Sequence, residues 1–170
     1  MAVWNSPTMT SNILPEPYVT SANNEAGGAS FNAMDGGGAS YWFANPCGDN
    51  PWWKLYVGSA GVCVNLATIK NYSPYGFLTF ILQGSPDDIN WTDIYSGTCL
   101  DNSNIQVYAF PISPLCQYLR FYSVTKKHAT YMAIFEFTLA GYDVLPPSNY
   151  LHARRDRMNM KGVSTQNSLA

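Results

Sequence analysis

Helical periodicity is missing from most of this 170-residue chain. Before Leu145 no stretch repeats its apolar residues at a 3.6-residue spacing, which excludes helical bundles and folds that alternate strand with helix. Charge is scarce: Asp, Glu, Lys and Arg make up 12% of residues. No basic face is present of the kind a nucleic-acid binder needs, so that partner is not expected. No apolar run approaches the ~20 residues that cross a bilayer, so neither is a membrane. The opening MAVWNSPTMTSN lacks a basic segment followed by an apolar core, which predicts synthesis in a cytoplasm without export. There are two histidines, His128 and His152, and neither stands in an HExxH motif. GxSxG and phosphate-loop motifs are also absent, so the chain is not expected to be an enzyme. The four cysteines Cys47, Cys63, Cys99 and Cys116 lie 16, 36 and 17 residues apart. That spacing contains no CxxC pair and argues against zinc. In a reducing compartment they are expected to be free, half-buried thiols with no disulfide.

Aromatic residues are abundant, with 12 Tyr, 8 Phe and 5 Trp. Gly, Pro, Asn and Ser punctuate them, a mixture that suits strands and turns. PEPYVTSAN begins an extended segment and NNEAGGASFNAMDGGGAS is a glycine-rich loop. Seven short apolar segments follow: WWKLYVG, VCVNLATIKN, FLTFILQG, WTDIY, IQVYAF, QYLRFYSV and MAIFEFTLAGY. Alternation places Trp53, Leu55 and Val57 on one face, as it does Val62, Val64 and Leu66, and Leu78, Phe80 and Leu82. Short strands at this spacing predict an all-β, antiparallel β-sandwich or barrel.

In such a sandwich successive connections alternate between two ends. One end collects GSAG, GSPDDIN and PISPL. The other collects ANPCGDNPWW, NYSPYG, SGTCLDNSN and TKKHATY. Rigid scaffolds present binding residues on loops, and the second end is richer in aromatic, amide and basic groups. Trp52, Tyr72, Tyr75, Asp101, Asn102, Lys127 and His128 form the candidate surface there. Rings that stack on sugar faces beside polar groups suit a glycan, and exposed tyrosines equally suit a protein partner.

The chain divides into an N-terminal arm at 1–14, a sandwich at 15–143 and a C-terminal arm at 144–170, with a short helix predicted near 149–159. Residues 1–143 carry five basic and ten acidic side chains, a net −5, whereas 144–170 carry four basic and one acidic, a net +3. Arg154, Arg155 and Arg157 in that polar tail are predicted to dock on carboxylates of a partner chain.

Gly84, Ser85, Asp87 and Trp91 resemble the G-S-x-D-G-x-x-W signature of discoidin, or coagulation factor 5/8 type C, domains, which are galactose-binding-like jelly rolls. Asp88 stands where that family often has glycine. In the same order, Ala33, Asp35, Gly36, Ser40 and Trp42 resemble the family's A-x-D-G loop. Trp53, Leu55, Val57 and Gly58 resemble its tryptophan-led strand, and Arg120, Glu136 and Gly141 its closing strands. The resemblance spans residues 15–142 and implies a structural role for Trp91, its ring plugging the sandwich edge. It also implies a structural calcium ion, held by Asp35, Ser40 and Glu136, although Gly37 replaces a frequent oxygen donor. The opening from Met9, MTSN followed by P-x-P-Y-V-x-S-A, is similar to accessory proteins of tailed bacteriophages. That likeness implies a virion component, on head or tail, assembled in a host cytoplasm in multiple copies among other virion chains. The alternative is a carbohydrate-binding module that adheres to a host surface glycan.

Overall fold

Apolar side chains alternate along most strands, and burying one face of each stacks them into two antiparallel sheets. The structure is a computed structural model that describes residues 2–143. The strands in chain order are β1 (Val3–Asn5), β2 (Val19–Ala22), β3 (Trp42–Ala44), β4 (Trp52–Tyr56), β5 (Cys63–Asn71), β6 (Phe77–Ser85), β7 (Thr92–Thr98), β8 (Ile105–Ala109), β9 (Tyr118–Lys126) and β10 (Met132–Tyr142), with a 3-10 turn at Ser30–Met34. The first sheet runs β1-β10-β5-β8, with β3 also on β10; the second runs β2-β4-β9-β6-β7. This is an all-β jelly-roll sandwich.

Trp42, Trp53, Phe77, Phe80 and Phe137 fill the space between the sheets with Leu55, Ile69, Leu82 and Leu119. Burying each large ring contributes on the order of 2–3 kcal/mol. The polar edges of the tryptophans are also used. Trp53 Nε1 donates to the Ser30 carbonyl and Trp42 Nε1 to the Asn24 carbonyl, both at 2.8 Å, pinning the long loop before β3 to the core. All four cysteines are free, and they are fully buried rather than half-buried. Loss of water pushes the Cys116 thiol up to about 11.

Simple alternation fails at two points, for one reason. A register shift lies between Ala140 and Gly141 on β10, whose partners on β5 jump from Leu66 to Val64. The bulge turns Leu66 outward, and Ala67 and Ile69 become the inward residues. On β6 two shifts around Thr79 bury Phe77 and leave Leu78 half-buried.

Residues 2–14 are not an arm. Val3–Asn5 pair with Tyr142–Ala140, and Trp4 and Met9 are buried. Asn12 ties the segment down: its Oδ1 accepts from Ser30 Oγ at 3.0 Å and from the Phe31 amide at 3.1 Å. The arm expected at 144–170, with Arg154, Arg155, Arg157 and the helix near 149–159, lies outside the described residues.

The two poles separate as the alternation of connections requires. At one, the Ser73 amide donates to Ser103 Oγ at 3.1 Å and the Lys127 amide to the Gly76 carbonyl at 3.1 Å. At the other, Gln117 donates to the Ser85 and Ser59 carbonyls, at 3.0 and 2.9 Å. Tyr72, Asn102 and His128 therefore share a pole, with Pro86 and Pro114 opposite.

Candidate functional site

Seven aromatic rings meet at the pole of Tyr72: Tyr41, Phe43, Tyr72, Tyr75, His128, Tyr131 and Phe135, all half-buried. Tyr72 and Tyr75 stack at 5.8 Å across the turn between β5 and β6. The Tyr75 amide closes that turn on the Tyr72 carbonyl at 2.7 Å. Gly76 follows because Asn71 packs where a Cβ would stand. His128 lies edge-on to Tyr75 at 5.3 Å and stacks on Tyr131 at 4.6 Å.

Polar groups rim the rings. Lys127 pairs with Asp101 and also donates to Ser73 Oγ at 3.3 Å. The Lys127 side chain is 14% exposed and that of Asp101 65%, so Asp101 stays within reach of a ligand. Asn102 Oδ1 accepts its own loop's Asn104 amide at 3.0 Å. His128 Nδ1 accepts the Thr130 and Tyr131 amides at 3.2 and 3.1 Å. The neutral ring therefore carries its proton on Nε2, which becomes a fixed donor.

Of the residues named from sequence, Tyr72, Tyr75, Asp101, Asn102, Lys127 and His128 share this pole. Trp52 does not join them. It points out from β4 on the second sheet, with Lys54 Nζ 5.6 Å from its ring. Sequence reading missed Tyr41, Phe43, Tyr131 and Phe135. The usable signal was Tyr41-Trp42-Phe43, where two rings flank a buried one and so share the opposite face.

Beside this patch, Asp35 accepts the Gly37 amide at 2.8 Å and the Ser40 hydroxyl. Burial, reinforced by the Asp35 charge, pushes the Glu136 carboxyl up to about 7, against the pull of the Gly36 amide and Lys70. Glu136 Oε2 is buried with no partner. Lys70 Nζ donates to the Gly38 carbonyl at 3.2 Å and lies 5.0 Å over Phe135. Two carboxylates and a hydroxyl are hard oxygen donors, and the partnerless Glu136 oxygen fits a calcium ion. Asp35, Ser40 and Glu136 would hold it, and it would rigidify the loop beneath Tyr41. Among the described residues, no group of three or more His, Cys, Asp or Glu side chains gathers as a metal site.

At the opposite pole the turn after β6 is built on Asp87. Its carboxylate accepts the Ile89 and Asn90 amides at 3.0 and 2.8 Å and Asn90 Nδ2 at 2.7 Å, which holds it well below the usual carboxylate range. Trp91 does not plug the sandwich edge. It is half-buried on the outer face of the second sheet, where the Arg120 guanidinium lies 4.0 Å from its ring. Arg120 offers the ring a cation, which the apolar core lacks.

A family model described as the F5/8 type C domain matches residues 18–137. The chain belongs to the F5/8 type C family. Solved structures share the fold. Chitosan-binding module 1 of a chitosanase/glucanase from Paenibacillus sp. IK-5 superposes with a TM-score of 0.65 at 21% identity, covering 80% of this chain and 100% of that one. A family 32 carbohydrate-binding module from Clostridium perfringens, in complex with GalNAc-β-1,3-galactose, gives 0.63 at 18% identity, covering 72% and 94%. An F5/8 type C domain from Bacteroides fragilis gives 0.62 at 17% identity, covering 75% and 93%. No curated protein sequence matches the chain. Within this F5/8 type C domain, Asp88 has a φ of 63°. That left-handed backbone accounts for the family's frequent glycine there, and Asp is among the side chains that tolerate it.

Proposed function

We propose that this F5/8 type C domain is a non-catalytic glycan-binding module whose site is the aromatic pole of Tyr72, Tyr75 and His128. The observation that carries the reading is the half-buried ring cluster, rimmed by Asp101, Ser73 and the fixed Nε2 donor of His128. A sugar presents an apolar C–H face to such rings and hydroxyls to such a rim. Structural neighbours named for chitosan and for a galactose-containing disaccharide support it. The reading as a virion component draws no support from the neighbours named above. Calcium at Asp35, Ser40 and Glu136 belongs to the proposal as a support for the site.

Affinity electrophoresis and calorimetry with galactose, GalNAc-β-1,3-galactose and chitotriose test the assignment. Tyr75→Ala and His128→Ala are each expected to weaken binding at least tenfold, which is about 1.4 kcal/mol, with the fold unchanged by circular dichroism. Binding that survives both changes at wild-type strength, or no binding to any of the three sugars, overturns it.

A further inference from the structure

The outer face of the second sheet carries an unusual ladder. On β4, Trp52, Lys54 and Tyr56 point outward, and their register partners on β9 are Tyr122, Arg120 and Tyr118. Trp53, Leu55, Leu119 and Phe121, between them in sequence, are buried. Each cation sits among rings. Lys54 Nζ lies 5.6 Å from Trp52 and 5.7 Å from Tyr118. Arg120 lies 4.0 Å from Trp91 and 5.8 Å from Tyr122. Tyr56 and Tyr118 pack at 4.9 Å, and beside them a cleft of about 230 Å³ opens against Val19 and Ser21.

We propose that this face is a second ligand surface, which takes a neutral, extended oligosaccharide laid along β4 and β9. Length argues for a chain rather than a single sugar. Trp52 and Tyr56 are four residues apart, or ~13 Å along a strand, and the strands lie ~4.8 Å apart. Charge argues for neutrality. Lys54 pairs with Asp88 at 2.6 Å. Arg120 donates to Gln83 Oε1 at 3.0 and 2.7 Å, and Gln83 Nε2 donates to Asp93 at 2.7 Å. Two cations therefore stand beside two carboxylates, and no surplus remains to hold a phosphate, a sulfate or a uronic acid. A lysine at the centre of the ladder also argues against a protein partner, since interface cores are depleted in lysine. Hydroxyls on Ser21, Tyr56, Tyr118 and Tyr122 suit a hydroxyl-rich ligand instead.

The tryptophan indole N–H signals in two-dimensional NMR spectra of the full chain provide the test. Trp52 and Trp91 report on this face, while buried Trp42 and Trp53 serve as controls. Cellohexaose and N-acetylchitohexaose, both neutral, are the probes. Expected is a saturable shift of the Trp52 and Trp91 indoles with at least one hexasaccharide, retained in Tyr75→Ala and weakened at least tenfold in Tyr118→Ala, with both variants melting within a few degrees of wild type. Shifts confined to the backbone amides around Tyr72 and Tyr131, with the Trp52 and Trp91 indoles unmoved, overturn this proposal and leave the loop-end site standing. Shifts at Trp52 and Trp91 with a silent Tyr131 pole do the reverse. Broadening of the two indoles with protein concentration alone, without sugar, marks a self-association face and also overturns it.

Discussion

Glu136 carries an electrostatic penalty that can be read out by pH. Its carboxyl is raised from 4.5 to about 7 in the folded chain, chiefly by burial and then by Asp35. Between those values the unfolded chain has ionised and the folded one still holds its proton, so stability falls as pH rises from about 4.5 to about 7 and is level above. Glu136 is half-buried, so partial screening by solvent cuts the effect to about 1–2 kcal/mol. Urea melts in chelator at pH 5 and pH 8 should show Glu136→Gln gaining on wild type at the higher pH, with calcium removing much of the difference. Equal gains at both pH values would show that the carboxyl titrates normally. The Asp35 loop was legible in sequence because A-x-D-G fixes a short pattern. Lys70, which shares the pocket, was not legible, because it arrives from β5 by strand register.

The bulges decide what an element shows to solvent. Gly141 stands where a Cβ would collide with the Cys63 carbonyl oxygen, and backbone cannot move aside as a side chain can. Gly141→Ala is therefore expected to cost about 1–3 kcal/mol in chemical denaturation, and an unchanged midpoint would mean that the bulge relaxes freely. Strands β4 to β10 were readable from the apolar segments and their turns, including which loops share a pole, whereas the short β1 and β3 were not. Trp53, Leu55 and Val57 alternate as written. Leu66 and Leu78 do not, because a bulge inserts one residue without changing composition. For the same reason Trp91 reads as core in a motif yet lies on Arg120: whether a ring faces in or out depends on the partner strand.

Taken whole, the domain is sealed by its first residues. Trp4 Nε1 donates to the Tyr18 hydroxyl at 3.2 Å, and the Met9 amide to the Met34 carbonyl at 2.8 Å. Deleting residues 1–9 uncovers one edge of β10 and removes two buried side chains, which is expected to cost about 4 kcal/mol or more. A truncated chain that melts within a degree of the full one would show that the segment is dispensable.

The β1–β10 pairing also has a consequence for attachment. Val3 lies opposite Tyr142, and the Ala2 amide donates to Asp143 Oδ1 at 3.3 Å. Strand β10 starts beside the aromatic pole and ends at the far one, so both boundaries of the described domain emerge there together. The rings of Tyr72, Tyr75 and His128 lie at the opposite pole, so both boundaries face away from the candidate site. A fluorescent protein fused before residue 2 or after residue 143 should leave sugar capture intact, and immobilisation through either junction should present every molecule with those rings outward.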